Sequence, residues 1–271
     1  MTFVRHPLKT LKIFTLAGCI ALAAPSAFAQ AFDAVRLYGA APGKDGGTVG
    51  AAVVATYEYQ GSDKRSTLVI PVLNYQWANG WFASVTNGIG YNFSDSPQLQ
   101  YGLRLTADKG RKENRASALR GMGNVDGAAE GGAFFNYSFT EGLFLTSSVR
   151  YGSGVRHKGL VVDLGAGYLT EIAPQWHLAA GVGVTLANAN YLQSFFGVTT
   201  AQAAKSGYAA YSPGAGVRDV RANVALSYSI APRTSVTAAI TVNSLLGDAL
   251  DSPIVRKRTS GLGVVGISYA F

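Results

Sequence analysis

Residues 220–230 read VRANVALSYSI, and alternate side chains in this stretch are apolar. Val220 and Val224 fall on one face, whereas Arg221 falls on the other. After a short turn, residues 236–243 repeat the alternation as VTAAITVN. Because a period of two is the period of a β-strand, these two stretches predict an antiparallel hairpin.

The same period recurs from residue 48 to the C-terminus, with no helical stripe. One face of these segments is uninterruptedly apolar with aromatic residues at its ends, and the other is small and polar with some charges. This lipid-out, lumen-in pattern, in segments of about ten residues, matches a bilayer crossing. Closure of the sheet leaves no edge in lipid. We therefore predict an all-β fold, a single transmembrane antiparallel β-barrel of outer-membrane type. Further segments begin at Val49, Trp81, Leu99, Ala133, Leu143, Leu160, Trp176 and Val265.

The number of strands follows less directly from the pattern. We mark about eleven segments, whereas a barrel with both ends in the periplasm needs an even number. Phe32 to Gly39 is a candidate for the remaining strand. The alternative is that Leu68 to Trp77, which contains Pro71, is partly irregular. About 12 strands is the prediction, and ten is the alternative.

The N-terminus predicts export. A basic segment ending at Lys12 precedes the apolar run Ile13 to Ala24, and Ala27-Phe28-Ala29 is a small-x-small cleavage site. This order is typical of a signal peptide, so we predict a signal peptide at 1–29 and a barrel at 30–271. A lipoprotein box at Leu16-Ala17-Gly18-Cys19 is the alternative, but the apolar run continues past it.

Composition excludes several classes of function. Cys19 is the single cysteine, so the exported chain has no disulfide, no thiolate nucleophile and no cysteine-bound metal. Three of the 23 basic residues and none of the 15 acidic residues lie in the signal peptide, which leaves a net charge of +5. No basic cluster is interleaved with stacking aromatics, so nucleic acid is not an expected partner. Beyond residue 29 no apolar run of about 18 residues predicts a transmembrane helix.

The turns predict an orientation. The last segment ends on Phe271 with Tyr269 two residues earlier, which resembles the signal read by the barrel-assembly machinery. Counting back from a periplasmic C-terminus places the long connections outside and the short turns inside, as is usual. The same count places the Asn79-Gly80 turn outside. The expected outer connections are 110–124, 188–216 and 247–260, and the expected periplasmic turns are 140–142, 173–174 and 231–232.

Six charged side chains are predicted to face the lumen. They can be interpreted as the lining of a solute channel, or as paired charges that fill a plugged lumen. Because both signs occur in similar number, we favour the plugged lumen. The six residues are Glu58, Arg104, Asp108, Arg150, Asp163 and Arg221.

Catalysis is not expected. His157 and His177 are the histidines of the exported chain, and no Asp-His pair or serine-centred elbow lies near either. Two histidines without clustered carboxylates do not indicate a zinc site. We therefore predict no catalytic, cofactor-binding or metal-binding residues, and no cofactors.

Two outer loops are basic. Such loops are placed to contact phosphates of lipopolysaccharide in the outer leaflet, although solvated loop charge is an equally good interpretation. The basic residues are Lys109, Arg111, Lys112, Arg115 and Arg120 in one loop, and Arg256, Lys257 and Arg258 in the other.

Several motifs resemble the MipA/OmpV family of MltA-interacting outer-membrane proteins. The resemblance implies a non-enzymatic barrel that acts as a scaffold in peptidoglycan turnover, linking a periplasmic lytic transglycosylase and a murein synthase to the outer membrane of a Gram-negative cell. A narrow solute channel and a surface adhesin are the alternatives. The family brings no catalytic residues. The motifs are YLQSFFGVT at 191–199, AAKSG at 203–207, YSP at 211–213, LGD at 246–248, DSPIV at 251–255, ISYAF at 267–271 and QGSD at 60–63. Residues 190–216 are also expected to form a short helix that caps the barrel mouth.

Overall fold

The computed structural model describes residues 45–271, and in it twelve antiparallel strands form a closed barrel. Each strand pairs with its neighbours in chain order, and β1 closes the barrel against β12, with Val53 opposite Val265. The prediction of about 12 strands is confirmed, and the alternative of ten is wrong. The strands are β1 (Gly46–Tyr57), β2 (Arg65–Gln76), β3 (Trp81–Ser84), β4 (Gly88–Asn92), β5 (Leu99–Asp108), β6 (Ala128–Ser138), β7 (Leu143–Ser153), β8 (Gly159–Ala173), β9 (Trp176–Ala187), β10 (Gly216–Ala231), β11 (Thr234–Leu245) and β12 (Thr259–Ala270).

The extra strand arises within the segment that begins at Trp81, which is in fact two short strands. Ser84 Oγ accepts hydrogen bonds from the backbone N–H groups of Thr86 and Asn87, both at 3.2 Å, and Gly88 adopts φ +77°. A side chain that caps its own turn in this way reverses the chain between β3 and β4. The predicted signal peptide at 1–29 and the candidate strand Phe32 to Gly39 lie outside the described residues.

Because the chain reverses once more between β3 and β4, the prediction that the Asn79-Gly80 turn lies at the outer end is wrong. The connection 77–80 lies at the end of the barrel where Phe271 pairs with Gly47, together with the other short turns. The longer connections lie at the opposite end, as predicted. By the usual asymmetry, the end with short turns is periplasmic and the other is extracellular.

Pro71 does not interrupt β2. It pairs with Ala51 of β1, while the pairing between β2 and β3 begins only at Asn74. Pro71 therefore lies where β2 has one neighbouring strand, and its missing N–H interrupts no ladder on the second side.

The outer surface of the barrel is apolar, as the alternation predicts. Val69, Leu103 and Ile240 expose 65%, 57% and 64% of their surface. Aromatic side chains gather at strand ends, where Trp176 and Tyr228 lie 4.6 Å apart between ring centroids. An exterior of this kind is stable in hydrocarbon, so the fold is a transmembrane barrel of outer-membrane type.

Part of the lumen is filled by aromatic side chains. Phe82 of β3 and Phe134 of β6 are buried with their ring centroids 5.8 Å apart. Glycines make this close approach feasible, since a Cβ on Gly102 would lie 2.8 Å from the Phe134 ring and clash with the backbone of Tyr91.

Three short α-helices occur in the outer connections: α1 (Ala189–Phe196), α2 (Thr200–Ser206) and α3 (Gly247–Leu250). Single 3-10 turns lie at Glu113–Arg115, Ser117–Leu119 and Val155–His157. The predicted short helix at the barrel mouth is therefore confirmed, as two helices. Among residues 45–271, no helix has the length and apolar character needed to cross a membrane.

Candidate functional site: the outer half of the lumen

The predicted luminal charges are mostly inside the barrel. Arg104, Asp108, Arg150, Asp163 and Arg221 are all buried on the inner wall. Arg104 Nη2 donates to Ser148 Oγ at 2.8 Å, and Asp108 Oδ1 accepts from the backbone N–H of Gly110 at 2.6 Å.

Glu58 was predicted with this group, but it lies just beyond the end of β1 and not within a strand of the wall. It follows the end of β1 and lies half-buried in the connection 58–64, where its N–H donates to the carbonyl oxygen of Lys64 at 3.1 Å. The strand ends one residue before the alternation does, so period alone could not exclude it from the wall.

A chain of six alternating charges crosses the inner wall from β6 to β10, and we call it the luminal ion-pair chain. Arg150 bridges Glu130 and Asp163 at 3.1 and 2.9 Å. Arg221 bridges Asp163 and Asp219 at 3.3 and 3.6 Å. The residues of the luminal ion-pair chain are, in order, Glu130, Arg150, Asp163, Arg221, Asp219 and Arg218.

Thr185 of β9 fills the gap in this chain between β8 and β10. Its hydroxyl donates to Asp163 Oδ1 at 2.8 Å and accepts from Arg221 Nη1 at 2.5 Å. All six charged residues are buried, and their formal charges cancel. Buried charges of this kind are tolerated when each has an opposite partner and hydrogen bonds, and removal of one partner is strongly destabilising. The inner wall from β6 to β10 therefore carries a paired network of charges at this level.

A β-bulge brings Arg218 into this network. The register of β10 against β9 shifts between Val217 and Asp219, so that Arg218 and Asp219 are consecutive and yet both fully buried. Arg218 Nε donates to Asp219 Oδ2 at 2.5 Å. Strict alternation would send one of two neighbours to lipid, whereas a bulge adds a residue and re-aims the side chain.

Glu130 was also missed by the sequence patterns. It is fully buried in β6, which begins at Ala128 rather than at Ala133. The stretch 128–132 reads AAEGG and resembles a loop. The alternation that begins at Ala133, continued towards the N-terminus, places Glu130 on the inner face, and this pattern is the sequence signal for it.

The outer connections fold over this network as a compact layer, which we call the outer cap. The outer cap comprises residues 58–64, 109–127, 188–215 and 246–258, including the three helices. Tyr191, Leu192 and Phe196 of α1 are buried in a hydrophobic cluster with Val161 of β8 and Leu245 of β11. This cluster seats α1 directly on the rim of the barrel.

Hydrogen bonds tie the outer cap to itself and to the wall. Arg218 Nη1 donates to the Tyr191 hydroxyl at 2.9 Å. Arg111 Nη1 donates to the carbonyl oxygen of Phe195 at 2.7 Å, and the Tyr59 hydroxyl donates to that of Ile254 at 2.8 Å. Each bond links a different pair of segments, and together with the hydrophobic clusters these bonds hold the outer loops in one body.

The sequence favours the two larger helices locally. Asn188 caps α1 by accepting from the N–H of Tyr191 at 2.9 Å. Thr199 and Gln202 form a reciprocal capping box at the start of α2, and Gly207 ends it in the left-handed region with φ +79°. These are the residue types that start and stop helices.

Burial changes the ionisation of two side chains in the outer cap. It raises the pKa of Tyr59 to about 12 and lowers the pKa of Arg111 to about 10. In both cases removal from water disfavours the charged form.

The two histidines lie at opposite ends of the barrel and are exposed. His157 follows β7 at the outer end, with Nδ1 3.2 Å from the carbonyl oxygen of Gly152. His177 is the second residue of β9, at the periplasmic end. Within residues 45–271, no three His, Cys, Asp or Glu side chains are grouped so as to hold a metal ion.

The motifs between residues 191 and 255 that carry the sequence resemblance fall in the outer cap, so they include the packing residues Phe196 and Ile254. A model of the MltA-interacting protein MipA family matches residues 49–271. The MltA-interacting proteins of Escherichia coli K12 and Shigella flexneri are each 24% identical over 230 residues, covering 83% of this chain and 90% of those proteins.

Among solved structures, the NanC porin has a TM-score of 0.46 and 13% identity, covering 81% of this chain and 98% of that chain. The KdgM porin has a TM-score of 0.43 and 12% identity, covering 83% and 99%. At TM-scores below 0.5 these porins indicate nothing about what this chain binds or conducts.

Proposed function

The chain belongs to the MipA family of MltA-interacting proteins, and from this membership we propose that it is a non-enzymatic scaffold that binds an MltA-type lytic transglycosylase. The barrel lies in the outer membrane. The transglycosylase, together with a murein synthase, would bind at the periplasmic end. The family match over residues 49–271 is the observation that carries the proposal.

That closure favours a binding role over transport. The luminal ion-pair chain crosses the wall from β6 to β10, and α1 packs on top of it. Entry of a solute from outside would have to displace the buried side chains of α1. A barrel with a packed outer end can act by binding partners on its surfaces.

The periplasmic end offers a surface of distinct charge. Asp95, Glu141 and Glu171 are exposed there, with Arg233 as the exposed cation of the turns at that end. Glu171 lies at the end of β8, and the turns that carry Asp95 and Glu141 are short, as in the bond from Phe139 N–H to the carbonyl oxygen of Leu143 at 2.9 Å. An acidic and rigid surface fits a partner with a basic patch.

The absence of an enzymatic role remains part of the proposal. The exposed histidines lie at opposite ends, so they cannot share a nucleophile. We propose no catalytic, cofactor-binding or metal-binding residues. We expect no hydrolysis by the purified parent protein. Hydrolysis by the parent would contradict the proposal, and its loss in a His157→Ala, His177→Ala double variant would assign the base to a histidine.

The test of scaffolding is crosslinking in intact cell envelopes followed by purification of the barrel. We expect an MltA-type transglycosylase to copurify with the parent protein. Glu141→Lys combined with Asp95→Lys should reduce its recovery, whereas Asp251→Lys in the outer cap should not. Equal recovery of the transglycosylase from both variants would rule out the periplasmic surface as its binding site. No recovery of the transglycosylase with the parent protein would contradict the scaffold proposal.

Conductance of the purified barrel in a planar bilayer distinguishes a narrow solute channel from a scaffold. A scaffold with a closed outer end should be electrically silent. Steady openings that shift in an Arg150→Ala variant would mean transport instead.

We also propose that residues 1–29 are a cleaved signal peptide. Purified protein from outer membranes should then begin at Gln30. An N-terminus retained at Met1, or one lipidated at Cys19, would contradict this.

A further inference from the structure

The connection 109–127 is long, yet it is firmly held. Leu119 and Met122 are almost fully buried, in a cluster with Val198 and Ile254. Gln202 Nε2 of α2 donates to the carbonyl oxygen of Met122 at 2.6 Å. Because its backbone is fixed from below, the upper surface of this connection has a defined shape.

That upper surface is concave. The concavity measures about 820 Å³ and is open to solvent, and we call it the loop groove. Its volume lies in the range of small-molecule and sugar sites. The loop groove is lined by Lys112, Glu113, Asn114, Ala116, Ser117, Arg120 and Asn124.

Both acidic side chains of the connection are already engaged. Glu113 Oε1 accepts the N–H of Gly121 at 2.5 Å, which closes the loop on itself. Asp126 pairs with Lys112 at 2.9 Å, but both side chains are largely exposed, and such a pair is weak. Lys112 can therefore turn to another anion at little cost.

Donors remain for a ligand. Arg120, Asn114 and Ser117 are exposed around the loop groove. Lys109 and Arg115 lie in the same connection, where burial and then the charge of Arg115 lower the pKa of Lys109. Like charges held close together are stabilised by an anion that both can face.

We propose that the loop groove binds a phosphorylated sugar, and that in the cell this sugar is the phosphate-bearing headgroup of outer-leaflet lipopolysaccharide. The groove lies at the extracellular end, where that headgroup surrounds the barrel. Arg120 is the anchor, because a guanidinium donates two parallel hydrogen bonds to a phosphate. Asn114 and Ser117 contact the sugar hydroxyls. The site lies at the opposite end from the murein partner, so each proposal can fail without the other.

The test measures binding of bis-phosphorylated lipid A to the refolded full-length barrel in mixed micelles. We expect Arg120→Ala to weaken binding about tenfold, the loss of one charge-assisted hydrogen-bonded contact. Arg156→Ala removes an exposed cation from a different outer loop and serves as the matched control, with a change of less than about twofold. Arg120→Lys should lose part of the affinity, since it keeps the charge but not the paired donors.

Heat-modifiable migration verifies that each variant is folded. Lipid A without its phosphates should bind at least about tenfold more weakly than the bis-phosphorylated form. Equal binding of both forms would overturn the proposal, as would equal loss in Arg120→Ala and Arg156→Ala. Binding of glucosamine 1-phosphate without binding of lipid A would overturn the lipid as source and identify a soluble sugar phosphate.

Discussion

Arg218 on the barrel wall donates from Nη1 to the hydroxyl of Tyr191 in α1 at 2.9 Å, and its Cζ lies 5.3 Å from the centre of the same ring. Both side chains are buried. This contact joins the luminal ion-pair chain to the outer cap, so the two parts should respond together when either is altered.

Tyr191→Phe tests this connection. It removes the acceptor for Arg218 Nη1, and Arg218 Nη2 already has no acceptor, so the guanidinium becomes less well satisfied. We expect a loss of about 1–3 kcal/mol in stability. Faster amide hydrogen exchange in α1 and a lower unfolding midpoint would show it. Tyr151→Phe, at an exposed outer-surface position, is the control. Equal effects of the two variants would show that the bond between Arg218 and Tyr191 does not stabilise the protein.

Asp163→Asn removes the charge at the centre of the luminal ion-pair chain. Arg150 and Arg221 then share an amide in place of a carboxylate, and a buried positive charge is left unbalanced. We expect the free energy of unfolding to fall by about 3–5 kcal/mol. Denaturant unfolding in detergent measures it, with Asp95→Asn in a periplasmic turn as the control. A change below about 1 kcal/mol would mean that water penetrates this level of the barrel.

Gly102→Ala tests the filling of the lumen by aromatic side chains. The added Cβ would clash with the backbone of Tyr91 and lie 2.8 Å from the Phe134 ring. Overpacking of this kind costs about 1–3 kcal/mol. Gly263→Ala is the control, because nothing lies within 4 Å of its added Cβ. Similar unfolding midpoints for the two variants would show that the ring moves freely aside.

Alkaline titration tests the burial of Tyr59. Its folded pKa of about 12 lies above the unfolded value of about 10, so the neutral phenol is favoured in the folded state. Its contribution to stability is complete below pH 10 and is lost as the pH rises through about 12. Ultraviolet absorbance should show a late tyrosine that disappears in Tyr59→Phe. Loss of a tyrosine that titrates near pH 10 in Tyr59→Phe would instead place the Tyr59 side chain in water.

Much of the barrel could be predicted because lipid imposes a simple rule. Side chains on the outer face of a strand are predominantly apolar, and those on the inner face are free to be small or polar. Exposed Leu103 and buried Arg104 show this rule within β5. Turn residues then set the ends of the strands, although the turn between Ser84 and Gly88 lies within a stretch whose alternation predicts one strand.

The luminal site was only partly predictable, because it depends on geometry beyond the alternation. Asp163 and Arg150 were expected inside, but their pairing follows from the register of β7 against β8, where Ser148 faces Asp163. Glu130 was hidden in a glycine-rich stretch that resembled a loop.

The sequence by itself determined the class of fold, the face of each strand that meets lipid and the ends at which the long connections lie. These properties follow from local period and from the hydrophobic effect, which act on one strand at a time. Tertiary structure alone decided that Arg218 points inward, since its bulge exists only in the pairing of β10 with β9. It also decided that the outer loops form one cap, because the contact between Tyr59 and Ile254 joins residues far apart in the chain. Burial and hydrogen bonding over such separations depend on closure of the barrel, which no local pattern encodes.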